Sequence, residues 1–298
     1  MTPSSTRRVG FVGLGAMGTP MSQRLLAAGF EVVGFDLSDA ARAQFADAGG
    51  QAVDSATRAV NAVDVVILML PDSNVVEAVV RDPAFLESLQ TSTVVIDMSS
   101  SEPLRTRELA AYLGAHGVRM IDAPVSGGVV GAQKGRLTVM VGGEPDDVAA
   151  VKDVLDVFGR VVGVGPVGSG HAIKALNNLL SATHLLATCE AMLAGQQFGL
   201  DPEVMLSVFN SSSGRSGSTE TKLPNFVLPG TFNSGFGLRL MLKDMKIAVQ
   251  LADQGGAPCD LGKEAVALWS QAAEELDARA DHTEIARWLK IVEANGAP

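Results

Sequence analysis

The stretch VGFVGLGAMG, residues 9–18, decides how the first half of this chain is interpreted. A short apolar run ends in Gly13, Gly15 and Gly18 at the spacing G-x-G-x-x-G, and a segment of helical pattern follows. In such a strand-turn-helix the first glycine allows the tight turn, the second lets the backbone approach a pyrophosphate, and the third permits close packing of helix on sheet. We therefore expect the turn to bind a dinucleotide through Gly13, Leu14, Gly15, Ala16, Met17 and Gly18.

A second apolar run, EVVGF at 31–35, is followed directly by Asp36, eighteen residues beyond Gly18. An acidic side chain at this point accepts hydrogen bonds from both ribose hydroxyls and repels a 2′-phosphate. NAD is therefore the expected cofactor, with NADP as the alternative. Asp36 could instead cap the turn or the next helix, because Ser38 and Asp39 stand close by.

Short apolar runs recur through the first half of the chain and alternate with segments of helical length. The runs are 9–13, 31–35, 63–70, 93–98, 118–122, 137–143 and 160–165, and the helical segments include 17–28, 38–48, 102–116 and 145–158. Such alternation is typical of a doubly wound parallel sheet with helices on both faces. We predict an α/β fold with a Rossmann-type dinucleotide-binding domain over residues 1–166.

The strand pattern stops after Gly165, and residues 169–198 follow as one long helical segment that is apolar nearly all round. Further helices are predicted at 201–210, 240–253, 259–278 and 281–293. The predicted second domain, residues 167–298, is therefore all-α, and the long helix joins it to the first. A helix that is apolar on every side must be covered on every side, which favours a homodimer or homotetramer formed through this domain.

Composition argues against several classes of protein. The 298 residues are 47% hydrophobic and 19% charged, and a net charge of −10 without a long basic run argues against nucleic acid as a partner. Polar residues interrupt the apolar run at 175–195, so no membrane span is expected. Cys189 and Cys259 lack metal-ligand spacing, so no metal site is expected. The absence of a secretory signal favours reduced thiols and a cytoplasmic location.

The segment GSGHAIKALNNLL, residues 168–180, places an amine and two amides near the start of the long apolar helix. Lys174 and Asn178 are four residues apart and project from one face, with Asn177 beside them. Burying such groups without partners costs about 1 to 3 kcal/mol for an amide and more for a charged amine. We therefore expect Lys174 to have a functional role, and a solvated lysine with capping or packing amides is the alternative.

Four separated motifs together resemble those of the β-hydroxyacid dehydrogenases, whose members act on 3-hydroxyisobutyrate, tartronate semialdehyde and related small acids. GFVGLGAMGTPM (10–21) resembles the amino-terminal signature of the family, and DAPVSGGVVGAQKGRLTVMVGG (122–143) is similar to its substrate-binding segment. GSGHAIKALNN (168–178) resembles the catalytic motif, and GFGLRLMLKD (235–244) resembles the carboxy-terminal site segment. The likeness covers nearly the whole chain.

The resemblance implies hydride transfer between a nicotinamide cofactor and a small 3-hydroxy acid or its semialdehyde, with Lys174 as general acid/base. It also implies substrate contacts at Ser126, Gly127, Gly128, Asn178, Phe236 and Asp244, and cofactor contacts at Leu70, Pro71, Ser100 and Lys243. Ser100 stands where the family usually has threonine. The segment DHTEIARWL (281–289) departs from the D-x-S-A-V pattern of many members, which leaves the identity of the substrate open.

Three other functions are weighed against this one. A catalytically inactive NAD(P)-binding scaffold is disfavoured because Lys174 is retained. An imine or other small-carbonyl reductase of the same fold is disfavoured by Lys174 and Asp36, since similar imine reductases use another residue in the lysine's place and usually NADP. Phosphogluconate oxidation is disfavoured by the modest length of the chain and the lack of a basic cluster. Substrate selectivity is expected in the Ser- and Gly-rich segment 210–222, where Arg215 is the only cation before Lys222.

Overall fold

The computed structural model describes residues 7–291. Packing divides the chain into two compact units between Lys174 and Ala175, called here the first and second unit. The first unit is α/β and the second is helical, which confirms the predicted fold class. The domain boundary predicted between 166 and 167 lies just before the long helix that contains this division, and it stays a prediction.

Nine strands form one sheet in the described part of the first unit. They are β1 Arg8–Val12, β2 Glu31–Phe35, β3 Gln51–Ala52, β4 Val65–Leu68, β5 Val94–Asp97, β6 Arg119–Asp122, β7 Val125–Ser126, β8 Leu137–Gly142 and β9 Gly159–Gly165. The spatial order is β3-β2-β1-β4-β5-β6-β8-β7, and β9 pairs with β8. Strands β1 to β6 are all parallel, as predicted for a doubly wound sheet.

The sheet departs from the parallel pattern at one edge, where β8 runs antiparallel to β6 and β7. The chain reverses after β7 through Gly127 and Gly128, both with positive φ, and a short helix ends at Gly135 in the left-handed conformation. Only glycine adopts such backbone angles readily, so these residues turn the chain back beside β7. The short strands β3 and β7 were not predicted, because two-residue strands carry no periodic signal.

Central strands of the sheet are buried on both faces. All four residues of β4 are fully buried, and the side chains of β1 and β5 are buried almost as completely. Continuous runs of valine and isoleucine suit this position, because helices cover both faces of a parallel sheet. The helices of the first unit are α1 Gly18–Ala27, α2 Asp39–Asp47, α3 Ala56–Val60, α4 Ser73–Val80, α5 Pro83–Ser88, α6 Pro103–Ala115, α7 Gly128–Lys134, α8 Pro145–Ala150 and α9 Lys152–Asp156.

The long helix α10 spans Ser169–Phe198, as the sequence predicts, and leads into the second unit. That unit continues with α11 Pro202–Asn210, a π-helix Ser218–Val227, α12 Leu238–Gln254, α13 Asp260–Glu275, a 3₁₀ turn His282–Glu284 and α14 Ile285–Trp288. Its main apolar cluster surrounds the fully buried Trp269. Within residues 7–291, no helix is both long and apolar enough to cross a membrane.

The helical segment predicted at 145–158 is divided into α8 and α9, and two elements predicted in the second unit also differ from the structure. The segment 210–222 is not wholly a loop, because its last residues belong to the π-helix, which contains Pro224. Proline lacks the N–H that a regular helix requires, so wider hydrogen bonding accommodates it. The helix predicted at 281–293 is a 3₁₀ turn followed by the short α14, and its residues beyond 291 lie outside the described residues.

Candidate active site

The glycine turn follows β1 directly, and its three glycines meet different structural demands. Gly13 has a φ of 101°, and a Cβ there would overlap the Met69 carbonyl oxygen. A Cβ at Gly18 would overlap the carbonyl oxygen of Gly13. At Gly15, by contrast, a Cβ would meet no atom of residues 7–291 within 4 Å. Packing does not require glycine at position 15, which fits a backbone that leaves room for the phosphates of a dinucleotide.

Asp36 follows β2 and holds the glycine turn. Its Oδ2 accepts the Leu14 N–H at 2.7 Å, and its Oδ1 accepts the Ser38 N–H at 2.8 Å. Each carboxylate oxygen can accept two hydrogen bonds, so capacity remains for the hydroxyls of a ribose. The structural and the cofactor-binding interpretation of Asp36 are therefore compatible.

The loops after β4 and β5 are tied together by serine side chains. Ser99 Oγ accepts the Leu70 N–H at 2.9 Å, which fixes the backbone of the Leu70-Pro71 turn. Asp97 accepts the Ser99 N–H and the Ser101 hydroxyl, both at 2.9 Å. The roles of Ser99 and Asp97 were missed in the sequence, where only the run of serines draws attention to this loop. Ser100, between two buried serines, is half-buried.

The predicted cofactor residues of the first unit therefore share one edge of the sheet. The parallel strands β2, β1, β4 and β5 are neighbours, and they end just before Asp36, the glycine turn, Leu70-Pro71 and Ser100. In open α/β sheets, ligands bind outside the carboxyl ends of the strands. The residues present thus suit a dinucleotide, although each individual contact stays a prediction.

Asp122, the last residue of β6, anchors the start of α10. Its Oδ1 accepts the Gly168 N–H at 2.6 Å, and its Oδ2 accepts the His171 N–H at 2.7 Å. Burial raises the pKa of Asp122, opposed by the charge of His171 and by these two N–H donors. The carboxylate thus caps the first turn of α10 at His171, three residues before Lys174, and helps to fix the position of that lysine. The residues involved are far apart in sequence, and no motif pointed to them.

The His171 ring completes a buried network in the first unit. Its Nε2 lies 3.1 Å from the Ser99 carbonyl oxygen, to which it donates, and its Nδ1 lies 2.9 Å from Thr106 Oγ1. Asp97 and Asp122 approach the ring within 3.8 Å and 3.7 Å. The ring links the serine loop to the start of α10.

The predicted substrate contacts of the first unit begin at Ser126, the last residue of β7. Gly127 and Gly128 follow with φ values of 130° and 62°, so both positions favour glycine for backbone reasons alone. A Cβ at Gly128 would meet no atom of residues 7–291 within 4 Å, which leaves the backbone there accessible to a ligand. Substrate binding by these three residues stays a prediction.

In the second unit, Asn178 and Asp244 make direct contact. Asn178 Nδ2 donates to Asp244 Oδ2 at 2.6 Å, and both side chains are buried. Lys243 Nζ and Asp244 Oδ1 form an ion pair at 3.2 Å, but the geometry is not that of a hydrogen bond. Two separate motifs thus meet at one cluster. Lys174, one turn before Asn178 on α10, is 8% exposed.

Asp281 holds the segment that carries Phe236. Its Oδ2 accepts the N–H groups of Gly235 at 2.9 Å and Phe236 at 3.3 Å, and both its oxygens lie 2.8 Å from Ser234 Oγ. Burial opposes ionisation, but hydrogen bonds from Thr283 and Ser234 hold the pKa of Asp281 below its ordinary value. The segment that departs from the family pattern therefore positions a predicted substrate residue, a role that the sequence did not reveal.

Lys222 and Arg215, the two cations of segment 210–222, stand in different surroundings. Lys222 is partly buried, and its Nζ donates to Ser181 Oγ at 2.7 Å. Arg215 is exposed over 64% of its side chain and lies 3.7 Å from Glu220 in an ion pair. No group of three metal-ligating side chains occurs in the part of the chain that the structure describes.

Comparisons with known proteins cover both units. A family model described as the NAD binding domain of 6-phosphogluconate dehydrogenase matches residues 8–168. A second, described as NAD-binding of NADP-dependent 3-hydroxyisobutyrate dehydrogenase, matches residues 168–289. The chain is 38% identical to 2-(hydroxymethyl)glutarate dehydrogenase of Eubacterium barkeri over 84% of each chain. It is 36% identical to human mitochondrial 3-hydroxyisobutyrate dehydrogenase, covering 96% of this chain and 88% of the relative.

Among solved structures, the fold is similar to Mycobacterium tuberculosis 3-hydroxyisobutyrate dehydrogenase with L-serine. The TM-score is 0.90 at 32% identity, over 96% of this chain and 99% of that one. An imine reductase from Myxococcus stipitatus, at 16% identity and a TM-score of 0.67, shares the fold alone.

Proposed function

The chain belongs to the β-hydroxyacid dehydrogenase family and is an NAD(P)-dependent oxidoreductase acting on CH–OH groups, and we propose that Lys174 is its general acid/base. Its substrate is a small 3-hydroxy acid or the corresponding semialdehyde. The observation that carries this proposal is a buried lysine one helical turn before Asn178, whose amide is fixed by the buried Asp244. A lysine so placed has an ordered polar neighbour with which to orient a hydroxyl group.

The proton transfer falls to Lys174. Bound NAD(P) supplies the hydride acceptor. During oxidation, the neutral amine of Lys174 takes the proton from the substrate hydroxyl as hydride leaves the carbon that bears this hydroxyl. In the reverse direction, the ammonium returns a proton to the carbonyl oxygen as hydride arrives at the carbon. Asp122 contributes by holding the first turn of α10 in place.

The substrate carboxylate is assigned to Ser126 and the backbone of Gly127 and Gly128. A hydroxyl and accessible N–H groups are suitable donors to a carboxylate, and glycines permit its close approach. Asn178, Phe236 and Asp244 are also assigned as substrate contacts, as the resemblance implies.

The cofactor is proposed to be NAD rather than NADP. The Asp36 carboxylate has acceptor capacity left for ribose hydroxyls and would repel a 2′-phosphate. The glycine turn, Leu70-Pro71, Ser100 and Lys243 are proposed as further contacts to the cofactor.

We also propose that the protein is a homodimer or homotetramer in the cytoplasm. Leu176 and Leu180, four residues apart on α10, are 42% and 56% exposed and form an apolar stripe that a second copy could cover. Both cysteines are free thiols, which fits a reducing compartment. Sedimentation of the purified protein tests the oligomeric state.

NADH formation across a panel of acids tests the proposed function. The panel comprises 3-hydroxyisobutyrate, L-serine, glycerate and 2-(hydroxymethyl)glutarate, each with NAD and with NADP. Turnover of at least one acid, faster with NAD, supports the proposal. Tight NADH binding without turnover of any acid or semialdehyde favours an inactive scaffold, and reduction of cyclic imines with NADPH favours an imine reductase.

A further inference from the structure

Lys222, on the π-helix, contacts the face of α10 that carries the proposed catalyst. Its Nζ lies 2.7 Å from Ser181 Oγ and 3.4 Å from the Ser181 carbonyl oxygen. Ser181 follows Asn178 by three residues and Lys174 by seven, so all three positions share one face of α10. At 1.5 Å per residue, Ser181 lies about 10 Å along the helix from Lys174. The Lys222 ammonium is thus held two turns beyond the proposed catalyst.

In the described part of the chain, Lys222 forms no ion pair. Among residues 7–291, no carboxylate lies within 4.0 Å of its Nζ. Asp281 acts on Lys222 electrostatically, but its oxygens are occupied by donors from residues 234–236 and 283. Burial raises the pKa of Cys189 to about 12 and lowers that of His282 to about 4, so both groups facing Lys222 are neutral at pH 7.

Hydrogen-bonding capacity also remains at this ammonium. A lysine carries three N–H donors, and the two Ser181 oxygens accept at most two within the described residues. Burial lowers the pKa of Lys222 to about 8, opposed by Cys189 and Asp281, so the group is still mainly a cation at pH 7. A partly buried cation with an unused N–H donor can therefore bind an anion through a charge-assisted hydrogen bond.

Lys222 is also linked to a predicted substrate residue. Its charge acts on His282, whose ring lies edge-on 5.9 Å from that of Phe236. His282 Nδ1 lies 3.1 Å from the Phe236 carbonyl oxygen, to which it donates. Arg215, in contrast, is exposed and already paired with Glu220, which makes it the weaker candidate for binding a substrate.

We propose that Lys222 binds a second anionic group at the far end of the substrate. The preferred substrate is then a 3-hydroxy acid that carries two anionic groups, such as a short dicarboxylic acid. This inference rests on the function proposed above, because it takes Lys174 to mark the reacting end of the substrate.

A pair of acids that share their reacting atoms tests the proposal. 2-(Hydroxymethyl)glutarate and 3-hydroxyisobutyrate have the same CH2OH–CH–COO⁻ core, and only the first carries a second carboxylate. We compare the ratio of their kcat/KM values in wild type, Lys222→Met, Lys222→Arg and Arg215→Met. Lys222→Met should lower the dianion-to-monoanion ratio by about tenfold or more, while Lys222→Arg and Arg215→Met stay within about threefold of wild type.

Direct binding separates this proposal from the proposed function. Calorimetry measures glutarate and butyrate binding to each variant saturated with NADH, which requires no turnover. If wild type oxidises no acid of the panel, the proposed function fails, yet loss of glutarate binding in Lys222→Met alone still supports the anion site. The proposal is overturned if a folded Lys222→Met protein keeps the wild-type kcat/KM ratio and glutarate affinity. It is also overturned if Lys222→Met lowers the affinities for glutarate and butyrate equally. Loss of selectivity in Arg215→Met instead assigns the anion to Arg215.

Discussion

Replacing Gly15 with alanine should separate cofactor binding from folding. Gly15 does not have a positive φ, and a Cβ there meets no described atom within 4 Å. Since alanine restricts the unfolded chain more than glycine does, stability should stay unchanged or rise by about 0.4 to 1 kcal/mol. The added methyl nevertheless occupies space that we assign to the pyrophosphate. NADH affinity should therefore fall at least about tenfold, or about 1.4 kcal/mol.

Gly18→Ala is the matched control within the same turn. Its Cβ would overlap the Gly13 carbonyl oxygen, so this variant should lose more than about 1 kcal/mol of stability. Denaturant unfolding without cofactor gives the stabilities, and NADH fluorescence titration gives the affinities. Wild-type NADH affinity in a folded Gly15→Ala protein would refute the reasoning, because the pyrophosphate would then lie elsewhere. A large loss of stability in Gly15→Ala would refute the packing argument.

Three further predictions concern carboxylates and Lys222. Asp36→Ser should raise the kcat/KM for NADP relative to that for NAD by about tenfold or more. It should also cost about 1 kcal/mol of stability, because the Leu14 N–H loses its acceptor. An unchanged ratio of the two kcat/KM values would contradict the assignment of Asp36 to the ribose of NAD. Asp281→Ala should raise the KM for the hydroxy acid by a larger factor than it lowers the NADH affinity, because it frees the backbone of Phe236. Equal changes in both would contradict an effect confined to the Phe236 segment. The pKa of Lys222 falls on folding from 10.5 to about 8, so the unfolded chain holds that proton more tightly. Between pH 8 and 10.5 wild type should therefore gain up to about 3 kcal/mol of stability relative to Lys222→Met, as measured by denaturant unfolding, and a constant difference would contradict the shift.

Local patterns in the sequence are sufficient to predict the frame of the cofactor site. The glycine spacing, the apolar run at 31–35 and the acidic residue after it are neighbours along the chain, so their relation is visible without a structure. Helix α10 is predicted to the residue because its helical pattern extends over 30 residues without a proline. A parallel sheet then brings the strand ends to one edge, which is a property of the fold class.

The supporting contacts could not be predicted, because they join residues far apart in the chain. Asp122 caps a helix that begins at Ser169, and Asp281 holds the backbone of Phe236. Neither aspartate belongs to a periodic pattern, and each resembles an ordinary turn residue in the sequence. Lys222 was visible only as a cation at the end of a polar segment. Its contact with Ser181 depends on how the π-helix packs against α10.

The role of Lys174 is the central claim, and Lys174→Met tests it most directly. Once an acid that wild type oxidises is known, kcat is measured for wild type, Lys174→Met and the control Lys263→Met, which alters an exposed lysine paired with Asp253. NADH affinity is measured for all three. We expect Lys174→Met to lose about 10²- to 10⁴-fold in kcat with NADH binding retained, and Lys263→Met to match wild type. A kcat within tenfold of wild type in Lys174→Met would contradict the account, because the proton would then be taken by another group.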